Sequence, residues 1–480
     1  MNLAEVRRFL DCRWDEELIP RLVDYVRVPA KSPAFDASWA AHGHLASVVQ
    51  DAHAWPAAQR IAGMRLEIVA IEGRTPCLFF DVPATCGLGN DRTVLFYGHL
   101  DKQPEMEGWR DGFGPWQPVI EDGRLYGRGA ADDGYAVYAA LSVIAALDAQ
   151  GTARPRCVGL IETCEESGSP DLPAYLELLA PRLGDVALVA GLDSGCGSYD
   201  QLWVTTSLRG LVGGTLAVEV LSEGVHSGNA SGLVPSSMRI ARQLLNRIDD
   251  PATGRVLDDA FHAAIPAGRL AQARAAGEIL GEQVWRQFPW IGCSHGDGGL
   301  AHAMPTTTDP VEGVLARTWR PALSVTGAAG FPSIDSAGNV LRPKTTFKLS
   351  LRLPPTVDGE LATARLKRLL EADPPYNARV TFAADCGATG WNAPETAPWL
   401  ARAADEASRA AFGKPAAWMG EGGTIPFMSM LGGRFPHAQF LITGVLGPKS
   451  NAHGPNEFLH IDCVKKLSAA VAAIVSRVPA

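Results

Sequence analysis

The amino-acid sequence predicts an α/β fold in which a domain with a mixed, helix-covered sheet is interrupted by an inserted α+β domain. Short apolar runs alternate with helical segments up to about residue 208, and this pattern returns after residue 391. Between residues 209 and 390 the strands alternate apolar and polar residues, as in an antiparallel sheet with one exposed face. A chain of 480 residues is also long enough for more than one domain. The expected boundaries are 1–208 and 391–480 for the main domain and 209–390 for the insertion.

The main domain is expected to bury its strands between helices on both faces. Runs such as Thr93-Val94-Leu95-Phe96-Tyr97 are apolar throughout, which is typical of such strands. We expect strands at residues 66–70, 77–80, 93–97, 157–161, 186–189 and 438–443, and helices at 17–28, 135–147, 399–412 and 462–475. In the insertion the pattern predicts strands at 212–220, 346–353 and 378–383, and helices at 235–248 and 359–372.

The charge balance narrows the class of partner. The chain has 43 Lys and Arg against 52 Asp and Glu, a net charge of −9, which argues against nucleic acids or anionic membranes as partners. No run approaches the roughly 18 apolar residues of a membrane span, and the first residues favour an amphipathic helix over a signal peptide. The 9 cysteines include no CxxC pair, so we expect no disulfide framework and a cytoplasmic location.

Acidic residues and histidines follow the expected strands at the point where each strand ends. In open α/β sheets, ligands bind in the crevice beyond the carboxyl ends of the strands. Five loops would bring two imidazoles and up to six carboxylates together there, and such a cluster repels itself unless cations neutralise it. Mixed imidazole and carboxylate ligands suit Zn²⁺ or Mn²⁺. The residues are His99, Asp101, Asp132, Asp133, Glu165, Glu166, Asp193 and His453.

Taken singly, each of these groups has a plainer interpretation. His99 could be a hydrogen-bonded core residue behind a buried strand. Asp132 and Asp133 could cap a helix, and Glu165-Glu166 could form a solvated turn. It is their occurrence together, at successive strand ends, that favours a metal site.

Longer motifs around these residues resemble one family, the co-catalytic di-zinc exopeptidases that include carnosine dipeptidase, carboxypeptidase G, aminoacylase and succinyl-diaminopimelate desuccinylase. The resemblance extends over nearly the whole chain, and the dipeptidase branch is closest because of Val225-His226-Ser227-Gly228 and Glu421-Gly422-Gly423-Thr424-Ile425-Pro426. The other matching stretches are Tyr97-Gly98-His99-Leu100-Asp101, Tyr126-Gly127-Arg128-Gly129-Ala130-Ala131-Asp132-Asp133, Glu165-Glu166-Ser167-Gly168-Ser169, Leu192-Asp193-Ser194, Leu208-Arg209-Gly210, Leu351-Arg352-Leu353-Pro354 and Asn451-Ala452-His453-Gly454-Pro455-Asn456-Glu457.

The resemblance implies a hydrolase with two divalent metal ions per chain, zinc in the first place, with manganese or cobalt as alternatives. Asp132 would bridge the two ions. His99 and Asp193 would complete one site, and Glu166 and His453 the other.

The resemblance also implies catalytic roles. Glu165 would be the general base for a water molecule shared by the two ions, and Asp101 would orient His99. His226 would reach the site from the partner subunit of a homodimer and stabilise the oxyanion. The inserted domain would then serve as a lid and as the dimerisation domain of a catalytic main domain.

The implied substrate is a dipeptide or small peptide with a free C-terminal carboxylate. Arg352 resembles the arginine that binds this carboxylate, and Gly422, Gly423 and Thr424 can add backbone N–H groups and a hydroxyl. Glu421 is a candidate partner for a free substrate ammonium. A metallopeptidase of the dipeptidase type is therefore expected, and an N-acyl amino acid deacylase of the same family is the main alternative.

Three features depart from the family pattern. Gly134 follows Asp133 where the family usually has lysine, and Gly420 stands where the dipeptidases often have arginine. An expected histidine has no counterpart in residues 387–391. The metal ligands are unaffected, but the transfer of a substrate preference is weakened.

Two interpretations from other classes stay open. Gly292-Cys293-Ser294-His295-Gly296 matches the nucleophile elbow of serine hydrolases with Ser294 as nucleophile, although its surroundings are typical of a loop rather than of a strand and a helix. A metal-binding module without turnover is the second, and the presence of Glu165 argues against it because a structural metal site has no use for a spare base.

Overall fold

The computed structural model describes residues 1–59, 61–291, 303–424 and 426–479, which form α-helices and five β-sheets. None of the described helices combines the length and the apolar character that a membrane span requires. The helices are α1 (Leu3–Arg13), α2 (Ile19–Arg27), α3 (Trp39–His42), α4 (His44–Ala58), α5 (Ala136–Ala149), α6 (Leu172–Leu183), α7 (Ser227–Ala230), α8 (Ser237–Leu245), α9 (Ala267–Leu280), α10 (Gln283–Arg286), α11 (Pro310–Thr318), α12 (Gly359–Glu371), α13 (Pro398–Phe412), α14 (Pro426–Arg434) and α15 (Ile461–Val475).

The strands differ in length between the sheets, and the longest belong to the antiparallel sheet of the insertion. They are β1 (Arg65–Val69), β2 (Cys77–Val82), β3 (Arg92–His99), β4 (Val119–Glu121), β5 (Arg124–Tyr126), β6 (Arg156–Glu162), β7 (Asp185–Gly191), β8 (Trp203–Leu208), β9 (Gly210–Glu219), β10 (Val225–His226), β11 (Ala322–Ala329), β12 (Val340–Leu341), β13 (Lys344–Leu353), β14 (Arg379–Ala388), β15 (Trp391–Asn392), β16 (Ala417–Glu421), β17 (Gln439–Ile442) and β18 (Phe458–His460).

The main sheet has the strand order β1-β2-β6-β3-β7-β17. Strands β6, β3, β7 and β17 run parallel, and β2 and β1 complete the sheet in antiparallel pairing. The apolar runs are buried along almost their full length, as in β3, because helices cover both faces. The carboxyl ends of β3, β6 and β7 therefore meet at one edge of the sheet.

Two cores hold helices against this sheet. The larger contains α1, α5, α13 and α15, and the Ala- and Leu-rich α5 is buried over most of its length. The opposite face packs against α6 and α14. Small side chains on α5 let it lie close to β3 and β6, which it contacts directly.

The inserted segment forms an antiparallel sheet of order β11-β13-β9-β14, with α8 and α12 packed on one face. In the register of β9 and β13, Gly210 lies opposite Leu353. Alternate residues of β13 are buried, as the sequence pattern predicts for a strand with one covered face.

Two chain segments connect the insertion with the main domain, and they lie side by side. Leu208 pairs with Trp391 in the small sheet β15-β8-β16. A Cβ atom at Gly390 would lie 2.4 Å from the carbonyl oxygen of Leu208 and 2.7 Å from the amide nitrogen of Gly210. Only residues without a side chain allow the two backbones to pass so closely.

The helices α9, α10 and α11 pack against the small sheet rather than against the sheet of the insertion. A core of Trp203, Met419, Val314 and Trp319, with neighbours, lies between these helices and strands β8 and β16. This packing places α11 directly behind the carboxyl end of β16, next to the cleft described below.

Several elements lie outside the sequence predictions. Helices α4, α6 and α9 and strands β8, β11 and β16 were not expected. Helix α6 contains two prolines, Pro173 in its first turn and Pro181 in its last, which conceal its helical pattern. Strand β11 is exposed over most of its length, so its residues do not show the alternation of a half-buried strand.

Candidate active site

Three neighbouring strands deliver polar side chains to one edge of the main sheet. His99 is the last residue of β3 and lies opposite Glu162, the last residue of β6. The turn that carries Glu165 and Glu166 follows β6, and Asp193 follows β7. Parallel pairing of these strands brings all of these loops to the same side, as the sequence predicts.

The imidazole of His99 is fully buried and faces three carboxylates. Its Nε2 lies 3.4 Å from Oδ1 of Asp132, 3.6 Å from Oδ2 of Asp193 and 3.9 Å from Oε2 of Glu165. None of the described residues forms a hydrogen bond with this nitrogen. A buried nitrogen without a partner, surrounded by acidic oxygens, is the arrangement that a metal ion completes.

His453 approaches Asp132 from the opposite side. Its Nε2 lies 3.0 Å from Oδ2 of Asp132 and 3.4 Å from Oε2 of Glu166. Asp132 thus directs one carboxylate oxygen toward each imidazole. Its side chain is 6% exposed, whereas that of His453 is 55% exposed. A carboxylate that bridges two metal ions needs this arrangement, and bridging is the role predicted for Asp132.

Asp101 connects His99 with the turn of Glu165 and Glu166. Its Oδ1 accepts a hydrogen bond from the amide of Glu165 (3.1 Å), and its Oδ2 accepts one from the amide of Glu166 (2.9 Å). Its backbone carbonyl lies 3.1 Å from Nδ1 of His99, closer than its carboxylate at 3.5 Å. Asp101 therefore directs Nε2 of His99 into the cluster and also fixes the turn that carries two of the carboxylates.

The electrostatics of the cluster favour a cation. Burial raises the pKa of Glu165 and of Glu166, and neighbouring carboxylates raise them further. Burial also raises the pKa of Asp193 to about 7. For His99, burial lowers the pKa, but the nearby carboxylates of Asp101, Asp132 and Asp193 outweigh it, and the net shift is upward. Divalent ions would offset both the burial of these carboxylates and the repulsion between them.

The donor set fits metal binding. Two groups, His99 with Asp132 and Glu166 and His99 with Glu165 and Asp193, each place their donor atoms within 4.8 Å of one another. Imidazole and carboxylate donors are those that Zn²⁺ and Mn²⁺ accept. Asp133 does not join the cluster in this way, because its Oδ2 accepts the backbone N–H of His99 at 3.3 Å.

The cluster lies in a cleft of 510 Å³ between the main domain and the insertion. Arg352 from β13 reaches this cleft, and its Nη1 donates to Oγ1 of Thr424 at 2.9 Å. The Thr424 hydroxyl donates in turn to the carbonyl of Arg209 at 2.7 Å. The cleft is lined by Gln103, Asp132, Glu165, Glu166, Gly168, Asp193, Ser194, Gly195, Leu208, Leu211, Arg352, Glu421, Gly423, Thr424, Leu446, Ala452 and His453.

His226 lies on the surface of the insertion. It is exposed, and β10 pairs with β12 so that His226 lies opposite Val340. Within one chain, His226 is not among the described residues that line the cleft. Gly422 is also absent from the lining, although Gly423 and Thr424 belong to it.

A buried ion pair that sequence reasoning missed holds the His453 loop in place. Arg128 donates through Nη1 to Oε2 of Glu457 at 2.5 Å and through Nη2 to the carbonyls of His453 (3.0 Å) and Gly454 (2.8 Å). Oε1 of Glu457 accepts the N–H of Gly129 at 2.9 Å. The sequence does show an arginine in the motif of Asp132 and a glutamate in the motif of His453. No spacing rule, however, predicts a pair between residues so distant in the chain.

The two glycines that depart from the family pattern have steric explanations. A Cβ atom at Gly134 would lie 2.2 Å from Cε1 of the buried Tyr25, so the aromatic ring occupies the space of a side chain here. A Cβ atom at Gly420 would lie 2.4 Å from Oγ of Ser207 and 3.0 Å from Cβ of Thr318 on α11. Packing of α11 thus excludes a longer residue at position 420.

A lysine does lie near the Gly134 loop, although it comes from another motif. Lys102 is fully buried, and its Nζ donates to the carbonyls of Tyr25 (2.7 Å) and Val28 (2.8 Å) at the end of α2. Its stem packs against Gly129, where a Cβ atom would lie 2.8 Å from Cε. The serine of the nucleophile-elbow pattern, Ser294, lies outside the described residues.

Comparison with solved structures shows the same architecture. The dipeptidase Dug1p of Saccharomyces cerevisiae superimposes with a TM-score of 0.77 over 99% of this chain and 98% of its own, at 22% identity. Human carnosine dipeptidase 1 gives a TM-score of 0.76 over 100% and 99%, at 20% identity. These likenesses confirm the predicted α/β fold with its inserted domain.

Comparison with characterised sequences is consistent with this result. The chain is 27% identical to a cysteinylglycine-S-conjugate dipeptidase of Corynebacterium striatum, over 77% of each protein. It is 29% identical to a Cys-Gly metallodipeptidase of Saccharomyces cerevisiae, over 70% of this chain and 69% of the relative. The model of peptidase family M20/M25/M40 matches residues 95–477, which include every proposed metal ligand. This match confirms the family resemblance, and the chain belongs to peptidase family M20/M25/M40.

Proposed function

We propose that the protein is a metal-dependent peptidase that hydrolyses dipeptides or small peptides with a free C-terminal carboxylate. Membership of the family and the dipeptidase activities of its relatives support a metal-dependent dipeptide hydrolase. The observation that carries the proposal is the cleft itself, in which the acidic and imidazole cluster on one wall faces Arg352 and Thr424 on the other. A cleft of 510 Å³ has the size of a small-ligand site.

Five residues would hold two divalent ions in this cleft. Asp132 would be shared, with His99 and Asp193 on one side and Glu166 and His453 on the other, in agreement with the distances between these groups. Such ions supply Lewis-acid activation of the scissile carbonyl and lower the pKa of water. Zinc is the first candidate, and manganese or cobalt are alternatives.

Glu165 is the group that would move the proton. Its side chain is 11% exposed and lies beside the cluster, and its burial raises the pKa toward the range of an efficient general base. It would accept a proton from the attacking water and pass it to the leaving amine. Asp101 would hold Glu165 in place, because its carboxylate accepts a hydrogen bond from the backbone amide of Glu165.

The substrate carboxylate would bind at the Arg352 end of the cleft. Arg352 is half-buried and makes no ion pair with any described carboxylate, so its guanidinium remains available for a charged ligand. The hydroxyl of Thr424 and the backbone of Gly422 and Gly423 would complete this site. Deletion of the guanidinium should therefore raise KM more than it changes the chemical step.

His226 would act from a second copy of the chain. The segments around β10 and β12 expose several large apolar side chains, which is unusual for a surface that faces water only. Contact of this surface with a second subunit would carry His226 toward the partner's cleft, where it would stabilise the oxyanion. The exposed residues are Leu233 at 85%, Ile334 at 90%, Phe331 at 48%, Val340 at 43% and Met238 at 41%.

An N-acyl amino acid deacylase is the second candidate, because the same metal cluster and carboxylate site would serve it equally well. A cytoplasmic location is part of the proposal, on the ground that the 9 cysteines include no CxxC pair. Two alternatives remain. A serine hydrolase that uses Ser294 would stay active without metal, and a metal-binding module without turnover would bind metal but hydrolyse nothing.

The proposed function is tested with metal-loaded protein on a panel of dipeptides, N-acyl amino acids and their amides. We expect dipeptides to be hydrolysed, amides to be poor substrates and a chelator to abolish the reaction. Full activity in chelator together with inhibition by a serine-directed reagent would favour Ser294. Bound metal without hydrolysis of any substrate would favour the non-catalytic module.

A further inference from the structure

The carboxylate of Glu421, a candidate partner for a substrate ammonium on sequence grounds, lines the cleft that holds the acidic and imidazole cluster. Glu421 is the last residue of β16 and lines the same cleft as Asp193, Ser194 and Gly195. A Cβ atom at Gly195 would lie 2.5 Å from its Oε1 and 2.8 Å from its Cδ. The side chain therefore leans over Gly195, two residues beyond Asp193.

The surroundings of Glu421 compensate its charge only in part. No ion pair involving Glu421 occurs among the described residues. Burial raises the pKa of Glu421, although the charges of Arg317 and Arg209 and the amide of Gly422 favour its ionised form. Arg209 itself donates to the carbonyls of Gly422 (3.1 Å) and Ala316 (3.4 Å). A half-buried carboxylate of this kind is a ready acceptor for a cationic group of a ligand.

Glu421 and Arg352 contact different parts of the cleft wall. Thr424 connects Arg352 with the carbonyl of Arg209, whereas Glu421 points toward Gly195 and the Asp193 loop. The cleft thus contains a cationic group, Arg352, and an anionic group, Glu421, in addition to the acidic and imidazole cluster. A dipeptide is a zwitterion with the same two charges on either side of its single peptide bond.

We infer that Glu421 binds the free α-ammonium of the substrate and thereby makes the site a dipeptidase rather than an N-acyl amino acid deacylase. This inference rests on the proposed function and names its substrate class. An N-acyl substrate has no cation to offer, so it would leave the carboxylate desolvated and unpaired when it fills the cleft.

The test compares L-Ala-L-Ala with propionyl-L-alanine, which differs from it only in the missing amino group. For the metal-loaded wild type we expect kcat/KM to be about 100-fold higher for the dipeptide, the scale of a charged hydrogen bond lost in a site that excludes water. Glu421→Gln keeps the shape of the side chain and removes its charge. It should reduce the ratio of the two kcat/KM values by at least about tenfold.

Glu105→Gln is the matched control, because Glu105 forms a surface ion pair with Lys31 at 3.0 Å and does not line the cleft. It should leave the ratio unchanged. A wild-type ratio near one, or a ratio that Glu421→Gln does not alter, would overturn the inference. Preferential cleavage of propionyl-alanine would overturn it as well while leaving a metal-dependent amide hydrolase in place.

If neither compound is hydrolysed, the proposed function fails, and binding then decides the role of Glu421. Calorimetry on the metal-loaded Glu165→Gln variant, with and without Glu421→Gln, would measure the affinities for both compounds without turnover. Tighter binding of the dipeptide that depends on Glu421 supports the ammonium site. Equal binding of the two compounds refutes it.

Discussion

Arg128 and Glu457 form an ion pair that is 1% and 0% exposed, and it joins the loop of Asp132 to the loop of His453. A third loop is attached as well, because Nε of Arg128 donates to the carbonyl of Pro104 at 3.2 Å. One guanidinium therefore fixes the relative positions of two proposed metal ligands, Asp132 and His453, that are far apart in the chain. Lysine carries the same charge but cannot make this set of directed bonds.

We therefore predict that Arg128→Lys weakens metal binding by about 10- to 100-fold, the range found when groups that orient metal ligands are altered. Metal affinity measured by competition with a chromophoric chelator checks this. Arg154→Lys is the control, since Arg154 is as buried as Arg128 and pairs with the partly exposed Asp148 (2.8 Å) away from the cluster. Both variants should lose stability, but an equal loss of metal affinity in the two would contradict the role of Arg128.

Glu165→Gln should lower kcat by about 10²- to 10⁴-fold while the protein still binds close to two metal ions per chain. The reason is that Glu165 would transfer the proton and would not be one of the five ligands. Metal analysis together with steady-state kinetics separates the two effects. Hydrolysis at a near wild-type rate would remove Glu165 from its role as base.

Subunit mixing tests whether His226 acts across a dimer. His226→Ala and Glu165→Gln should each be nearly inactive, but a mixed dimer would contain one site with an intact Glu165 and an intact His226 from the other subunit. After equal mixing and reassociation, activity should recover to about a quarter of the wild-type value, since half of the dimers are mixed and each has one working site. If the subunits exchange but activity does not recover, His226 does not act from the partner subunit.

Gly134→Ala should destabilise the protein by about 1–3 kcal/mol, the usual cost of overpacking. The added Cβ atom would collide with the Tyr25 ring, whose hydroxyl is held by the carbonyl of Leu100 at 3.0 Å. Gly268→Ala is the control, because no atom lies within 4 Å of a Cβ there. The melting temperatures of the two variants are measured by thermal unfolding. Equal values would contradict the steric explanation for glycine, rather than the lysine of the family, at position 134.

Removal of the metal should reverse the pH dependence of stability. In the metal-free protein the pKa of Asp193 is about 7 and those of Glu165, Glu166 and His99 are raised. The folded state then binds more protons than the unfolded state between about pH 5 and 7, so its stability falls as pH rises. Asp132, with its lowered pKa, contributes only below about pH 4 and does not affect this window.

The metal-loaded protein should behave in the opposite way, because the ions need deprotonated ligands and bind more tightly as pH rises. Melting temperatures measured at pH 5.5 and 7.5, with and without chelator, check the two slopes. Parallel slopes in the two forms would show that the cluster does not hold the ions.

The sequence was sufficient to predict the main sheet and the residues at its edge. His99, Glu165 and Asp193 follow apolar runs that are buried on both faces, and this position relative to a strand end is a local property. The antiparallel sheet of the insertion was also predictable from a local pattern. Apolar and polar residues alternate along β9 and β13, and the structure buries alternate residues of β13 and of most of β9.

What the sequence could not supply were contacts between distant segments. The bonds from Asp101 to the amides of Glu165 and Glu166 depend on the conformation of a short turn, and the Arg128–Glu457 pair joins residues 329 positions apart. Likewise, the sequence does not show that α11 packs against β16. The steric reason for Gly420 is therefore visible only in the structure.

The two imidazoles of the cluster differ sharply in their access to solvent, since His99 is completely enclosed and His453 is half open. We expect the outer position, which His453 and Glu166 would hold, to exchange its ion with the medium quickly and the inner one slowly. Stepwise depletion would then produce a half-loaded species before the empty protein, and this species would retain the ion beside His99. Supply of metal in the cell would in that case regulate the enzyme through its outer position alone.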